Sequence, residues 1–500
     1  MTFKKFGSLH TIHFLISLVL LTFGVIVRSI EVVSRNYVFV YDQGRDYLAA
    51  WNIAIEHKWT LIGAEAGSGF AGLPGIFHGP GYFYLLSAII KIFGGDPYWG
   101  MVVLFMLSII SLLVVYWVAF QVFGRTAAVI ALAIAVVSPP LIVQARMIWA
   151  PNFAGLFIVL ALASVVMISL DQKWRVGLAS FLAASLYHFE IPLAVPMVVA
   201  LGFWLCSQKQ YRNVTVLFWF SIGVIIGIAP AIIFELRHGL PIVSALANPN
   251  LSSPILTLKE LNGDLKAFTY VVSDLFNIPQ GLYTWVVMTL LVIYVWGVNR
   301  GMKIQSRRFL SYLLFVWLSH IIVFTLYKGP VYSHYLTALW FVTVFFVSGV
   351  CVGKWKKGVA IRTALVIMFI FGIVRAINKV IYSSSRDFYG SGGTAKIRGK
   401  MNAINTILAD ANGQPFRLMI FSPPVYTYPY DYILTWIRQS RPSAVSSRDA
   451  PVLYLLIEPD GDKPWTYKGW IETVVKQGNV EKQWKLPSGF IIEKRRVDPI

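Results

Sequence analysis

The sequence predicts an all-α polytopic membrane protein of about eleven transmembrane helices, carrying a small C-terminal extracytoplasmic α/β domain. Three observations predict it. The 500 residues are 57% apolar and 13% charged, where soluble domains run near one quarter charged. Apolar runs of about 18 residues, enough to carry a helix across ~30 Å of hydrocarbon, recur between residues 12 and 377. After about residue 380 these runs stop and charge density rises. A membrane β-barrel is excluded, because stretches such as Leu15 to Val27 are apolar on nearly every face instead of alternating.

The spans fall near residues 12–30, 98–120, 126–143, 152–170, 174–187, 191–206, 214–234, 282–299, 309–327, 334–352 and 359–377. The first lacks a small-residue cleavage site and reads as a retained helix, not a removed signal peptide. Their orientation follows from charge. Lys4, Lys5, Arg125, Lys173, Arg175, Lys209, Arg212, Arg300, Lys303, Arg307, Arg308, Lys354, Lys356, Lys357 and Arg362 lie in or beside alternate short gaps, which makes those gaps and the N-terminus cytoplasmic. Most acids before residue 380 fall in the opposite gaps, so any chemistry faces outward. The run from Tyr82 to Phe93 would span only ~20 Å as a helix. If it crossed, every later basic gap would change sides, so it is expected to lie on or dip into the outer leaflet.

Three outer pieces are large: residues 31–97, residues 235–281 and the domain 381–500, following a transmembrane domain of residues 1–380. In the last, a helix near Ala395 to Asp410 precedes strands near Phe416 to Phe421, Val452 to Ile457, Val480 to Trp484 and Gly489 to Glu493. Net charge of +20 would suggest nucleic acid in a soluble chain, but here it marks topology and no nucleic-acid partner is expected. Cys206 and Cys351 sit near predicted cytoplasmic helix ends, so neither a disulfide framework nor a cysteine metal site is indicated.

The first outer loop carries Tyr41-Asp42-Gln43-Gly44-Arg45-Asp46-Tyr47 leading into a helical pattern. Asp42 and Asp46 are four apart and share a helix face with Arg45 beside them, the pairing that can deprotonate a nucleophile while holding a phosphate. The same spacing also suits a surface helix capped by Asp42, and spacing alone does not decide. The loop closes with His78-Gly79-Pro80-Gly81-Tyr82-Phe83-Tyr84, a tight turn before interfacial aromatics. Outer span ends then supply Arg146, His188 with Glu190, Glu235 with Arg237 and His238, Lys328, and His334 with Tyr335. Singly these are ordinary snorkelling residues; together they read as a polar cavity for a phosphorylated lipid headgroup. No GxxxxGK[ST], GxGxxG or HExxH is present, and the acids and histidines have no diagnostic metal spacing.

In organisation over residues 1 to about 380, and most sharply at YDQGRDY, HGPGYFY and FELRHG, the chain resembles the GT-C membrane glycosyltransferases, nearest the protein O-mannosyltransferase and lipid A aminoarabinose transferase branch. The resemblance implies a polyprenyl-phosphate sugar as donor, with Asp42 the catalytic base and Arg45 a phosphate contact. His78-Gly79-Pro80 stands where relatives often have Lys-Pro-Pro, and Trp149-Ala150-Pro151 lacks the acid many relatives place in the second outer loop, which weakens any case for a divalent metal cofactor. On this reading the leaving phosphate is held by Arg45, Arg146, Arg237, His78 and His238, the acceptor is a protein, lipid or glycan, and the remaining partners are membrane lipids. The rival readings are a flippase or transporter of a polyprenyl-linked glycan, a glycan polymerase or ligase, and a receptor or anchor. The first would usually show internal repeats and mid-membrane ionisable residues, and His320 is the one such residue in a predicted span.

Overall fold

The computed structural model describes residues 3–66, 75–168, 171–246, 258–276, 302–327, 331–353, 359–390, 392–423, 426–440 and 450–497, with the single residues 281 and 289. In chain order the helices are α1 (Phe3–Arg28), α2 (Ile30–Ser34), α3 (Tyr41–Ala54), α4 (Gly81–Phe93), α5 (Tyr98–Phe123), α6 (Arg125–Val137), α7 (Pro139–Gln144) and α8 (Ala150–Val166). They continue with α9 (Trp174–Ser185), α10 (Ile191–Ser207), α11 (Val214–Gly227), α12 (Ala229–His238), α13 (Pro241–Leu246), α14 (Leu258–Phe276), α15 (Ile304–Leu326), α16 (Thr337–Val352) and α17 (Val359–Tyr389). The C-terminal part contains α18 (Ile397–Ala411), β1 (Arg417–Phe421), α19 (Tyr428–Ser440), β2 (Val452–Ile457), α20 (Thr466–Trp470), β3 (Asn479–Lys485) and β4 (Ile491–Arg496).

Among the described residues five helical stretches are long and apolar enough to cross a membrane: Thr11–Arg28, α5, α15, Ser333–Val352 and α17. The pair α11 and α12, bent by 68°, counts as a sixth if it is one span. Helices α4, α6, α8 and α10 are apolar but shorter. Two expected spans are interrupted for a common reason. Proline at the first or second helical position cannot continue the preceding ladder, so Ser138-Pro139-Pro140 separates α6 from α7, and Pro230 follows the bend at Ile228. The expected span at 282–299 lies outside the described residues.

Helix α16 is the centre of the bundle, with almost every residue from Thr337 to Val350 buried. Small residues set the closest crossing: a Cβ on Gly223 would lie 2.1 Å from the Ser180 hydroxyl and 2.2 Å from the Gly177 carbonyl, so α9 and α11 meet backbone to backbone.

The sheet has the order β1-β2-β4-β3, with β1 parallel to β2 and the other pairs antiparallel. Alternation along β2 divides two cores. Leu453, Leu455 and Ile457 pack with Val475 and Val497, whereas Tyr454 and Leu456 join the main cluster that continues into the membrane helices. Helix α17 runs through residue 380 without a break to Tyr389, so the rise in charge near Ser383 does not mark its end. The C-terminal unit is tied to the segment that follows α2 by backbone bonds from Phe39 N to Ala395 O (3.0 Å) and from Ile397 N to Tyr37 O (2.9 Å).

Candidate active site

The first turn of α3 is fixed from both sides. Val40 is extended, its N–H donates to Gln43 Oε1 at 3.0 Å, and Gln43 Nε2 donates to the Ile148 carbonyl at 2.7 Å. Asp42 therefore lies inside the first turn and is not the N-cap. Arg45 Nη1 is 3.1 Å from Asp42 Oδ1, and its Nη2 and Nε are each 2.8 Å from Asp46 Oδ1. Asp42 keeps 31% of its side chain exposed and Asp46 only 3%, so the outer carboxylate is the one a substrate can reach. Position 44 has no room for a side chain: a Cβ there would lie 2.3 Å from the backbone nitrogen of Pro429, whose helix α19 packs across α3.

Opposite α3, residues 63–66 and 76–78 form a short antiparallel ladder through Gly63 N to His78 O (2.7 Å) and His78 N to Ala64 O (2.9 Å). Gly79 N donates to Tyr187 O at 3.0 Å, and a Cβ at Gly79 would strike His188 Nδ1 at 2.2 Å. His78 Nδ1 accepts from the Ile191 N–H at 3.2 Å, so the ring carries its proton on Nε2, which faces Glu190 Oε1 at 3.5 Å. His188 Nδ1 accepts from Gly81 N–H at 3.3 Å. His334 rests edge-on against Trp149 and Tyr335, with ring centroids 4.5 Å apart in both cases.

These groups enclose a cavity of about 280 Å³ lined by Asp42, Arg45, Asp46, Glu65, His78, Tyr82, Trp149, His188, Glu190, Tyr332, His334 and Tyr335, among others. Eight of the thirteen site residues expected from the sequence meet there: Asp42, Arg45, Asp46, His78, His188, Glu190, His334 and Tyr335. Four do not line it. Arg146 is directed away into an ion cluster, with Nε 2.5 Å from Glu31 Oε2 and Nη2 2.8 Å from Asp387 Oδ2. Glu235 caps α13, accepting from Ile242 N (2.8 Å) and Val243 N (3.1 Å). Arg237 and His238 are exposed, because α12 ends at Gly239 in a left-handed conformation and the chain turns off. Lys328 lies outside the described residues. Sequence reading missed Glu65, Tyr82, Trp149 and Tyr332, whose one signal is position beside the glycine-proline turn or a span end.

The electrostatics are unusual for an anion site, since Arg45 is the one Lys or Arg among the described lining residues. Two features offset this. Four helices begin at the cavity wall: Asp42 is the second residue of α3, Tyr82 the second of α4, Ala150 the first of α8, and Glu190 is the N-cap of α10. Helix starts carry partial positive charge, which favours an anion between them, and at α4 and α10 the first N–H is already given to His188 and His78. Burial also favours the protonated form of the deeper acids. Asp46 is pushed up to about 7 by burial, with Arg45 opposing and Asp42 adding, and Glu190 is pushed up to about 8 by burial and by Asp42. Burial holds the His78 imidazole down at about 4, helped by Arg45, and lowers His188. Among the described residues no three His, Cys, Asp or Glu side chains converge to hold a metal ion.

These shifts predict a pH dependence of stability. Asp46 and Glu190 start from 3.8 and 4.5, so between those values and about 7 and 8 the folded chain holds more protons than the unfolded one and stability falls as pH rises. His78 acts oppositely, but only between about 4 and its ordinary 6.5. From pH 6.5 to 8 the apparent melting temperature of wild-type protein should therefore fall more steeply than that of Glu190→Gln. Parallel curves for the two would show that Glu190 does not bind its proton in the folded state.

Mostly helical, with a polar cavity at helix ends and a small C-terminal sheet, the chain has the GT-C fold. Among solved structures it is similar to ArnT from Cupriavidus metallidurans bound to undecaprenyl phosphate, at 10% identity and a TM-score of 0.58, over 96% of this chain and 97% of that one. The apo state of the same ArnT gives 11% identity and a TM-score of 0.53 over 98% of both chains. The apo oligosaccharyltransferase of Archaeoglobus fulgidus matches more loosely, at 13% identity and a TM-score of 0.43 over 83% of this chain and 59% of that one. No family description and no curated protein matches the sequence. At these identities the likeness is one of fold.

Proposed function

We propose that this chain is a membrane glycosyltransferase that moves a sugar from a polyprenyl-phosphate donor to an acceptor hydroxyl. The observation that carries the reading is the meeting of the Asp42 carboxylate, the Arg45 guanidinium and four helix starts at one cavity, on a fold shared with a protein that binds undecaprenyl phosphate. Asp42, at the exposed side, takes the acceptor proton as the hydroxyl oxygen bonds to the anomeric carbon. The bond from that carbon to the phosphate oxygen breaks, and the electron pair leaves with polyprenyl phosphate. Arg45 and the helix starts oppose the charge that grows on the departing phosphate. His78 and Glu190, held by the start of α10, supply hydrogen bonds from neutral groups, which an anion tolerates better than a second carboxylate.

The deciding experiment incubates purified full-length protein with a polyprenyl-phosphate sugar and an acceptor panel of peptides, glycans and lipids. Free polyprenyl phosphate should appear together with a glycosylated acceptor. Movement of intact donor between leaflets without its release would replace transfer by a flippase.

The alternation of basic gaps supports eleven crossings, with the N-terminus inside and the unit after 380 outside with the first loop, so that transfer occurs on the extracytoplasmic face. In a background where the two free cysteines, Cys206 and Cys351, are serine, Lys303→Cys and Asn479→Cys should react with impermeant thiol reagents from opposite sides. Labelling of both from one side would overturn this arrangement.

A further inference from the structure

The C-terminal unit brings aromatic surface against Tyr41, the residue that precedes Asp42. The rings of Tyr426 and Tyr428 stack with centroids 5.4 Å apart at 17°, and Tyr41 packs on them at 5.3 and 5.2 Å. Tyr41 immediately precedes Asp42. Its ring lies 5.7 Å from the Arg45 guanidinium carbon, and that guanidinium is 3.1 Å from Asp42. Tyr426 is 50% exposed, and Tyr41 and Tyr428 are half-buried.

The segment Tyr426-Thr427-Tyr428-Pro429-Tyr430-Asp431-Tyr432 divides its tyrosines into two sets. Tyr430 is buried, donating to Glu458 beside Lys400 Nζ, which is itself 3.1 Å from Glu458 Oε2. Tyr432 is buried among Phe39, Tyr47 and Trp51, and its hydroxyl donates to Gly95 O at 2.5 Å. Pro429 seats on Gly44. The Tyr432 and Pro429 contacts hold the unit on α3, and the Tyr430 contact ties the segment to the rest of the unit. Tyr426 and Tyr428 instead pack on Tyr41 and leave ring surface in water, which anchoring does not require.

We propose that Tyr41, Tyr426 and Tyr428 form the acceptor subsite and that the acceptor presents a sugar ring, as a glycan or a glycolipid headgroup. This rests on the glycosyl-transfer reading above. A pyranose has a face of weakly positive C–H groups that suits the negative face of an aromatic ring, and a rim of hydroxyls that can pair with phenol and carboxylate oxygens. A ring laid on this shelf places one rim hydroxyl toward Asp42, which accepts its proton while the oxygen takes the anomeric carbon from the donor phosphate. A peptide hydroxyl would use none of the three rings.

The test uses full-length protein in nanodiscs, with saturation-transfer NMR on a panel of methyl glycosides of hexoses and N-acetylhexosamines, and a parallel panel of serine and threonine peptides. Wild-type protein should bind at least one glycoside. Y426A/Y428A should weaken it roughly tenfold or more, and Y426F/Y428F, which keeps the rings, should retain most of the binding. Binding of undecaprenyl phosphate is measured in all three and should be unchanged, which also reports that the variants are folded. Glycoside binding equal in wild-type protein and Y426A/Y428A, peptide binding lost in that variant in place of glycoside binding, or no glycoside bound by wild-type protein would each overturn the subsite. Loss of glycoside binding in a protein that never releases polyprenyl phosphate would leave the subsite standing and remove the transferase reading.

Discussion

Asp42→Asn should lower transfer by ~10²-fold or more while the protein stays folded and still binds polyprenyl phosphate. The amide keeps the shape of the carboxylate at a position 31% exposed, so little packing is lost. It cannot accept the acceptor proton, and the nearest replacements are poorly suited: Asp46 is buried against Arg45, and Glu190 holds its proton up to about 8. Arg45 also loses one of two partners, which should leave donor affinity unchanged or tighter. Turnover and donor binding measured on the same preparation check this, and near-normal turnover would remove Asp42 as the base.

Arg146→Met should destabilise the protein by ~3–5 kcal/mol, the cost of leaving a buried partner charged and unpaired. Glu31 is 5% exposed and takes two of the guanidinium's bonds, at 2.5 and 2.6 Å. Asp387 is 38% exposed at its side chain and should add little. The double change Glu31→Gln with Arg146→Met should recover part of the loss, because the stranded charge is gone. Thermal unfolding of both variants in one detergent tests this; equal stability of wild-type protein and Arg146→Met would show that the cluster is solvated.

How far each feature could be read from sequence follows from the distance over which its cause acts. The Asp42, Arg45 and Asp46 cluster was legible because one helical turn makes it, and the strands of the C-terminal sheet because alternation and turn residues are local. His78, His188 and His334 line one cavity, and the reading that grouped them rested on their position at span ends, since nothing in their spacing specifies that they meet. Arg146 was misplaced because its partners are 115 and 241 residues away, and a lone arginine at a span end looks the same whether it faces a ligand or an acid. His238 was misplaced by the left-handed turn at Gly239, whose direction no pattern of residues reveals. The tyrosine shelf was invisible for a related reason. Its members are adjacent only because α19 lies across α3, and that crossing depends on a missing side chain at position 44.

The seating of Pro429 on Gly44 also sets an order of events during synthesis. The helix bearing Asp42 leaves the ribosome early, yet the surface that covers it is encoded near the other end of the chain. At ordinary elongation rates the gap is on the order of tens of seconds. Throughout that interval α3 has its Tyr47 and Trp51 face without Tyr432 to pack on it, and the cavity is bounded on one side only. A nascent chain thus carries Asp42 and Arg45 for that interval without the surface that later covers their helix, and a product stopped short of residue 428 would have every residue of that turn but no wall behind it.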